Sequence, residues 1–137
     1  MAIVKDLLHT EGDGSLSFGN HELDAKQKVE DYKYEGKSFK VKTFKEITKL
    51  EREGELVYES VPGTSVNNMV RTDGGLRFKV EGAEDAQITV GLEPDTEYDI
   101  LVAGADMGRM KTNLGGKLSM SVELMGCGVV DVEVKKA

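Results

Sequence analysis

The sequence predicts an all-β fold, an antiparallel β-sandwich, with a β-barrel as the alternative architecture. Three observations lead to this prediction. Short segments alternate apolar and polar side chains, turn signals recur about every ten residues, and no segment carries a convincing helical pattern. The 137 residues include 16 glycines and only two prolines, a composition typical of many tight turns between short strands. We expect one domain over residues 1–137.

The first third of the chain is expected to contain short strands and one hairpin. Residues 3–9 suit a strand or a helical turn, and residues 15–23 suit two short extended pieces. A hairpin is predicted from residues 27–34 and 37–44, with a Glu-Gly turn between them. Residues 44–52 place apolar side chains at helical spacing, but so short a helix without an N-cap is marginal. A strand is therefore predicted there.

The middle of the chain is read as three strands separated by turns. Residues 55–61 form a strand that Pro62 and Gly63 end, because proline cannot donate to a β-ladder. Residues 64–70, which include an Asn-Asn pair, are expected to be a loop or an irregular edge. Alternating apolar residues at 76–80 and 88–92 predict two further strands.

Residues 92–124 are read as a β-meander: a turn, a strand, a hairpin, a second strand, a Gly-Gly turn and a third strand. Tyr98 to Val102 and Leu118 to Leu124 both alternate apolar with more polar residues, so each has one face suited to burial. A last strand is predicted over Val129–Val134, where every second side chain is valine.

One motif within the meander resembles a known family. The residues at alternate positions are Leu92, Pro94, Thr96, Tyr98, Ile100 and Val102. This pattern is similar to the entry of the tyrosine-bearing strand in fibronectin type III and related bacterial immunoglobulin-like domains. The resemblance implies that the Tyr98 hydroxyl bonds to backbone a few residues upstream, while its ring fills the sandwich core.

The chain as a whole, through segments such as 42–50 and 57–64, resembles small single-domain clostridial proteins labelled endosialidase. That label implies a glycosidase, and a sialidase site resembles three arginines around the substrate carboxylate with a tyrosine nucleophile, a glutamate and an aspartate on a propeller. This chain has four arginines, none in such a context: Arg52, Arg71, Arg77 and Arg109. It is also too short for a propeller. We therefore expect no enzyme activity.

Charge and composition narrow the classes of partner. The net charge of −7 disfavours nucleic acid and anionic membranes, since phosphate binding requires clustered Lys and Arg. Five lysines between Lys37 and Lys49 are interleaved with glutamates, and a solvated strand face is predicted there rather than an anion site. No N-terminal segment is apolar enough for a signal peptide or a membrane helix, so a cytoplasmic location without membrane insertion is expected.

The residues that most often carry chemistry are sparse. His9 and His21 have no second ligand at metal-binding spacing, and Cys127 lies between two glycines without a basic neighbour to activate its thiol. We expect no metal, no cofactor and no catalytic residue.

The remaining hypothesis is a non-catalytic structural or interaction protein whose partner is itself or another protein. The terminal strand Val129–Val134 and the segment Ile3–Val4 both lack proline, and either could be an edge that pairs with a neighbouring subunit. The equal alternative is that both termini pair inside the same sandwich. The alternative is a carbohydrate-binding module or a glycosidase-associated protein. Sugars stack on exposed aromatic rings, and the sequence has no tryptophan, so Tyr32, Tyr34 and Tyr58 are the expected glycan platforms.

Overall fold

A computed structural model of the protein describes residues 3–137, and none of them lies in a helix. The strands are β1 (Leu8–Thr10), β2 (Leu16–Phe18), β3 (Gln27–Tyr34), β4 (Lys37–Phe44), β5 (Ile47–Arg52), β6 (Glu55–Val61), β7 (Ser65–Thr72), β8 (Gly75–Glu81), β9 (Ala86–Gly91), β10 (Glu97–Val102), β11 (Ala105–Lys111), β12 (Lys117–Val122) and β13 (Val130–Lys136). The predicted all-β class is confirmed.

The strands form two antiparallel sheets that pack face to face. Sheet A has seven strands in the order β1-β2-β7-β8-β13-β10-β11, and sheet B has six in the order β12-β9-β6-β5-β4-β3. Each sheet ends in two edge strands, so the molecule is a sandwich and not a closed barrel. A single hydrophobic core fills the space between the sheets.

Alternation along the strands determines which side chains enter the core. In β12, Leu118, Met120 and Val122 are buried, while Lys117, Ser119 and Ser121 are exposed. Complete burial of an aliphatic or aromatic side chain contributes roughly 1.5–3 kcal/mol relative to leaving it in water. The stripe of inward-facing residues on each strand therefore supplies the main driving force for the sandwich.

Several local predictions are confirmed. The hairpin of β3 and β4 has the predicted bounds, and its turn residues Glu35 and Gly36 both adopt positive φ, 51° and 76°. Such a pair of left-handed residues matches the twist of the strands that it joins. Residues 47–52 form β5, so the strand prediction was correct there. Tyr98 is buried and its hydroxyl accepts a hydrogen bond from Glu93 N–H at 3.3 Å, as the resemblance implied.

The prediction that residues 64–70 form a loop or an irregular edge is wrong. They contribute most of β7, which lies inside sheet A between β2 and β8. A register shift between Asn67 and Val70, with Asn68 at φ 56°, places Val66 and Met69 in the core three residues apart. Because this β-bulge interrupts the two-residue period, the sequence pattern does not indicate a strand.

The predicted β-meander is also wrong in its last step. β10 and β11 pair in sheet A, but the chain then crosses to sheet B, where β12 pairs with β9. The crossing turn is organised by Asn113, whose side-chain oxygen accepts hydrogen bonds from the N–H groups of Gly115 and Lys117, both at 2.9 Å. This turn joins two sheets rather than two neighbouring strands.

Neither expected edge at the chain ends is an edge strand. β13, which contains most of Val129–Val134, is paired on both sides, with β8 and with β10. Ile3 and Val4 precede β1 and belong to no strand, and Val4 N–H donates to Gly19 C=O at 3.0 Å. The absence of proline from Val129–Val134 has a simple cause: an interior strand donates backbone hydrogen bonds to both neighbours, and proline has no N–H to donate.

Candidate functional site

Within residues 3–137, no cluster of three or more His, Cys, Asp and Glu is arranged to hold a metal ion. Cys127 is exposed, and its thiol donates to Met125 C=O at 3.6 Å. His9 Nε2 lies 3.6 Å from a Glu11 carboxylate oxygen at the surface.

One His–Ser pair has the geometry of a base and its nucleophile. His21 Nδ1 lies 2.7 Å from Ser65 Oγ, which also accepts a hydrogen bond from His21 N–H at 3.2 Å. The Ser65 side chain is fully buried, so its hydroxyl cannot meet a substrate. We interpret these hydrogen bonds as structural: they hold the loop that precedes β3 against the first residue of β7. The two residues are 44 positions apart, and no sequence pattern indicates their contact.

Tyr58 is not available as a glycan platform, which corrects the prediction for this residue. Its side chain is fully buried, and its ring packs edge-on against Phe18 and Phe78 of the opposite sheet, at centroid distances of 5.2 and 5.4 Å. Burial raises the pKa of the Tyr58 hydroxyl, against the opposing effect of hydrogen bonds with Thr64 and Ser60. Tyr58 is a core residue that joins the two sheets.

Tyr32 and Tyr34 lie on β3, and both are half-buried. The Tyr32 and Thr10 hydroxyls are 2.7 Å apart, and the Tyr34 hydroxyl donates to Gly14 C=O at 2.6 Å. Desolvation, followed by the Glu35 charge, raises the pKa of Tyr34. Their hydroxyls therefore connect β3 of sheet B to β1 of sheet A and to the loop that follows β1.

Three of the lysines between Lys37 and Lys49 lie on the outer face of sheet B: Lys40, Lys42 and Lys49. Lys28, Lys42 and Lys49 lie directly opposite one another across β3, β4 and β5. Partial burial, followed by the charges of Lys26 and Lys49, lowers the pKa of Lys42. Like charges in directly opposite positions destabilise a sheet, so this row opposes folding.

The four edge strands differ in how well they are protected. β1 is only three residues long. β3 and β11 each contain a register shift in their single ladder. β3 also carries Lys28, Glu30, Asp31 and Lys33, and β11 forms ion pairs through Arg109 and Lys111. Shortness, bulges and charges all discourage pairing with another chain.

β12 lacks these forms of protection. Its six residues pair with β9 in unbroken register, with no bulge and no proline. The outward side chains along the strand are Lys117, Ser119 and Ser121, so only the first is charged. The Ser119 and Ser121 hydroxyls bond within the sheet, to Thr89 and Gln87 respectively, at 2.7 and 2.8 Å. β12 is therefore a regular edge with a single charge.

The backbone of β12 presents hydrogen-bonding groups along this edge. Leu92 N–H donates to Gly116 C=O across the pair with β9, at 2.7 Å. Because the direction of the backbone groups alternates along an antiparallel strand, Leu118, Met120 and Val122 also direct theirs toward β9. Ser119 and Ser121 consequently direct their N–H and C=O groups to the open side.

The hydrogen bonds at the two ends of β12 agree with this assignment. Asn113 occupies both edge-facing backbone groups of Lys117: its side chain accepts from the N–H, and its own N–H donates to the C=O at 3.0 Å. Leu124 N–H points to the β9 side and donates to Asp85 at 2.9 Å. The free backbone groups are thus concentrated in the centre of the strand.

Two exposed apolar residues and two opposite charges flank this edge. Leu114 precedes β12 with 85% of its surface exposed, and Met125 follows it with 62% exposed. Lys117 opens the strand and Glu123 follows its last residue, and no ion pair formed by residues 3–137 includes either. Unpaired charge and exposed apolar surface together are typical of an interaction surface.

No family model, curated protein or solved structure matches this chain. We therefore infer function from the strand order and from the β12 edge. Over residues 3–137 there is no helix with the length and hydrophobicity required to span a membrane.

Proposed function

We propose that this protein is a non-catalytic interaction module that joins a second copy of itself by antiparallel pairing of two β12 strands. The observation that carries the proposal is the β12 edge, which alone among the four edge strands of residues 3–137 has neither a bulge, nor several charges, nor a short length. A regular edge strand is a template on which another strand adds through backbone hydrogen bonds.

The sequence of β12 is complementary to itself in one register. In this register a two-fold axis passes midway between the Met120 residues of the two copies. It joins the two B sheets into one continuous sheet and keeps the inward-facing residues of both copies on the same side. Residues at equal distances from Met120 then lie opposite each other: Leu118 and Val122, Ser119 and Ser121, Lys117 and Glu123. Of the possible centres, only Met120 places the unpaired lysine opposite the unpaired glutamate, and symmetry repeats that ion pair.

The backbone groups fit the same register. Ser119 and Ser121, whose N–H and C=O groups face the open edge, become a hydrogen-bonded pair on each side of the axis.

Opposite-charge pairs on the face of a sheet contribute roughly 0.2–1 kcal/mol each. Beyond the strands, Leu114 of one copy is brought beside the loop that holds Met125 of the other, so apolar surface is buried at both ends of the interface.

An exchange of charges tests this register. Lys117→Glu and Glu123→Lys each place like charges opposite each other at two symmetric positions, while the double variant restores opposite charges with their order reversed. Neither side chain forms an ion pair within the described chain, so the fold should be unaffected. Two repulsive contacts of up to about 1 kcal/mol each would weaken association by up to roughly thirtyfold.

Light scattering coupled to gel filtration, over a concentration series, measures the outcome. We expect twice the 15.0 kDa chain mass for the wild type and for the double variant, and dissociation at higher concentrations for each single variant. A monomer at every concentration, or a dimer that the single variants leave equally stable, would overturn the proposal.

A further inference from the structure

Two arginines lie at one end of the sandwich, where Arg52 is half-buried and Arg71 is exposed. Arg52 ends β5 opposite Phe39 of β4, and Arg71 lies in β7 opposite Leu76 of β8. Directly opposite residues share a face of their sheet, and both Phe39 and Leu76 are buried. One arginine from each sheet therefore approaches the other at the place where apolar side chains would normally close the core.

Neither arginine forms an ion pair within the described chain, although Arg52 lies directly opposite Glu55 in the β5–β6 ladder. None of the ion pairs formed by residues 3–137 includes Arg52 or Arg71. Burial, followed by the guanidinium of Arg52, lowers the pKa of Arg71. Placing two like charges together while partly desolvating them costs free energy. A bound anion would lower this cost.

A cleft opens at this position. Two adjoining cavities, of about 490 and 300 Å³, share Arg52, Arg71 and Leu92 in their walls. Gly54 of the β5–β6 turn lines the larger cavity, and Asp73 of the β7–β8 turn and the buried Tyr98 line the smaller one. The volume suits a small molecule, and the two forks of N–H donors suit a planar oxyanion.

The charges around the mouth restrict which anion can enter. Glu35, Asp73 and Glu93 line the smaller cavity and Glu55 lines the larger one. Glu93 is held by Lys136 at 2.7 Å, and Glu55 acts to raise the pKa of Arg71 without forming an ion pair. An acidic rim repels a polyanion such as a nucleic acid, whereas one carboxylate on a small molecule can pass between these groups.

We infer that the Arg52–Arg71 cleft is a binding site for a small molecule with a single carboxylate group. Each arginine would donate its N–H groups to the carboxylate oxygens, and the negative charge would relieve the repulsion between the two guanidinium groups. The larger cavity extends to Lys117 at the start of β12, but neither arginine takes part in the proposed strand pairing, so carboxylate binding would be a separate activity.

Acetate is a suitable probe, and sodium chloride at equal ionic strength is its reference. The arginine Nε–H signals in ¹H–¹⁵N spectra report binding at each guanidinium group. We expect the Arg52 and Arg71 signals to follow one shared saturation curve with acetate, while the Arg77 and Arg109 signals move no more than in chloride. Acetate should also raise the melting temperature more than chloride does.

Arg71→Gln and Arg77→Gln form a matched pair of variants. Arg77 lies on the outer face of sheet A opposite Glu133, so its loss should leave the acetate response of Arg52 intact. Arg71→Gln should abolish that response. The inference is overturned if acetate moves Arg52 and Arg71 no more than chloride does, or if Arg71→Gln leaves the response of Arg52 unchanged.

Discussion

The hydroxyl oxygens of Tyr58 and Thr64 lie 2.7 Å apart in the fully buried interior of the sandwich. Thr64 Oγ1 also lies 2.8 Å from Ser60 Oγ, and the Thr64 backbone bonds in both directions with Thr48 Oγ1. No buried side-chain nitrogen or oxygen of residues 3–137 lacks a hydrogen-bond partner. A buried network that satisfies every member favours one arrangement of the core.

Replacing Tyr58 by Phe should lower the free energy of unfolding by about 1–2 kcal/mol, because Thr64 then loses a buried hydrogen-bond partner. Tyr32→Phe is the control: it removes a hydroxyl that bonds to Thr10 at the surface, and we expect a loss below about 0.5 kcal/mol. Urea unfolding followed by circular dichroism measures both. Equal losses in the two variants would contradict a special contribution from the buried network.

Ser119→Pro should abolish self-association and preserve the fold. The N–H that proline lacks faces the open edge of β12, so no bond to β9 is lost, and proline is tolerated at such positions. Ser119→Ala is the control, since it also loses the hydroxyl contact with Thr89 but keeps the N–H. Light scattering should give a monomer for the proline variant and a dimer for the alanine variant. Dimers in both would show that β12 is not the interface.

Lys42→Glu should stabilise the protein, by about 0.5–1 kcal/mol. It converts the middle of the Lys28–Lys42–Lys49 row from a repulsive into an attractive position. Lys33→Glu is the matched control, because Lys33 lies opposite Ser38 instead of another lysine. Chemical unfolding at low and high salt measures the gain, which should shrink as salt screens the charges. A neutral or destabilising Lys42→Glu at low salt would contradict this account.

Asp85→Ala should lower stability at neutral pH and much less in acid. The N–H groups of Met125 and Leu124 hold the pKa of Asp85 below its usual 3.8. A carboxylate with a lowered folded-state pKa stabilises the fold above the unfolded-state pKa, and this contribution is lost as pH falls through the folded-state value. The difference between the melting temperatures of wild type and variant should therefore begin to shrink as the pH falls below about 3.8, and it should be smallest below the folded-state pKa.

The control for this variant is Asp24→Ala. Asp24 is highly exposed and lies 3.6 Å from Lys45 Nζ, so its removal should change the melting temperature little at any pH. If Asp85→Ala and wild type differed by the same amount at all pH values, the carboxylate charge would not be what fixes the loop after β12.

The parts of the fold that depend on neighbouring residues could be predicted from the sequence. The hairpin of β3 and β4 follows from alternation and from a turn that needs positive φ at Glu35 and Gly36. β7 could not be predicted, because the bulge at Asn68 breaks the period. Tyr58 was predicted to be exposed, yet it and its neighbour Val57 are both buried beside a register shift between β5 and β6.

The candidate site depends on strand order, which alternation does not encode. β12 and β13 have the same pattern of apolar and polar residues, yet β12 is an edge and β13 is an interior strand. Their charges would suggest the opposite assignment, because the edge strand β12 has one charged residue and the interior strand β13 has four. Likewise, Arg52 and Arg71 meet only because two sheets bring distant turns together. These relationships are visible only in the assembled sandwich.

The position of β13 has a consequence for how the protein is made. β8 and β10 are synthesised before β13, the strand that lies between them. Until β13 is made, the backbone N–H and C=O groups on the facing edges of β8 and β10 have no partner strand. At about 5–20 residues per second, the interval between the end of β10 and the end of β13 is roughly a few seconds. During that interval, nascent chains on one messenger present the same open gap to one another. Sheet A therefore cannot be completed until β13 has been synthesised and has inserted between β8 and β10.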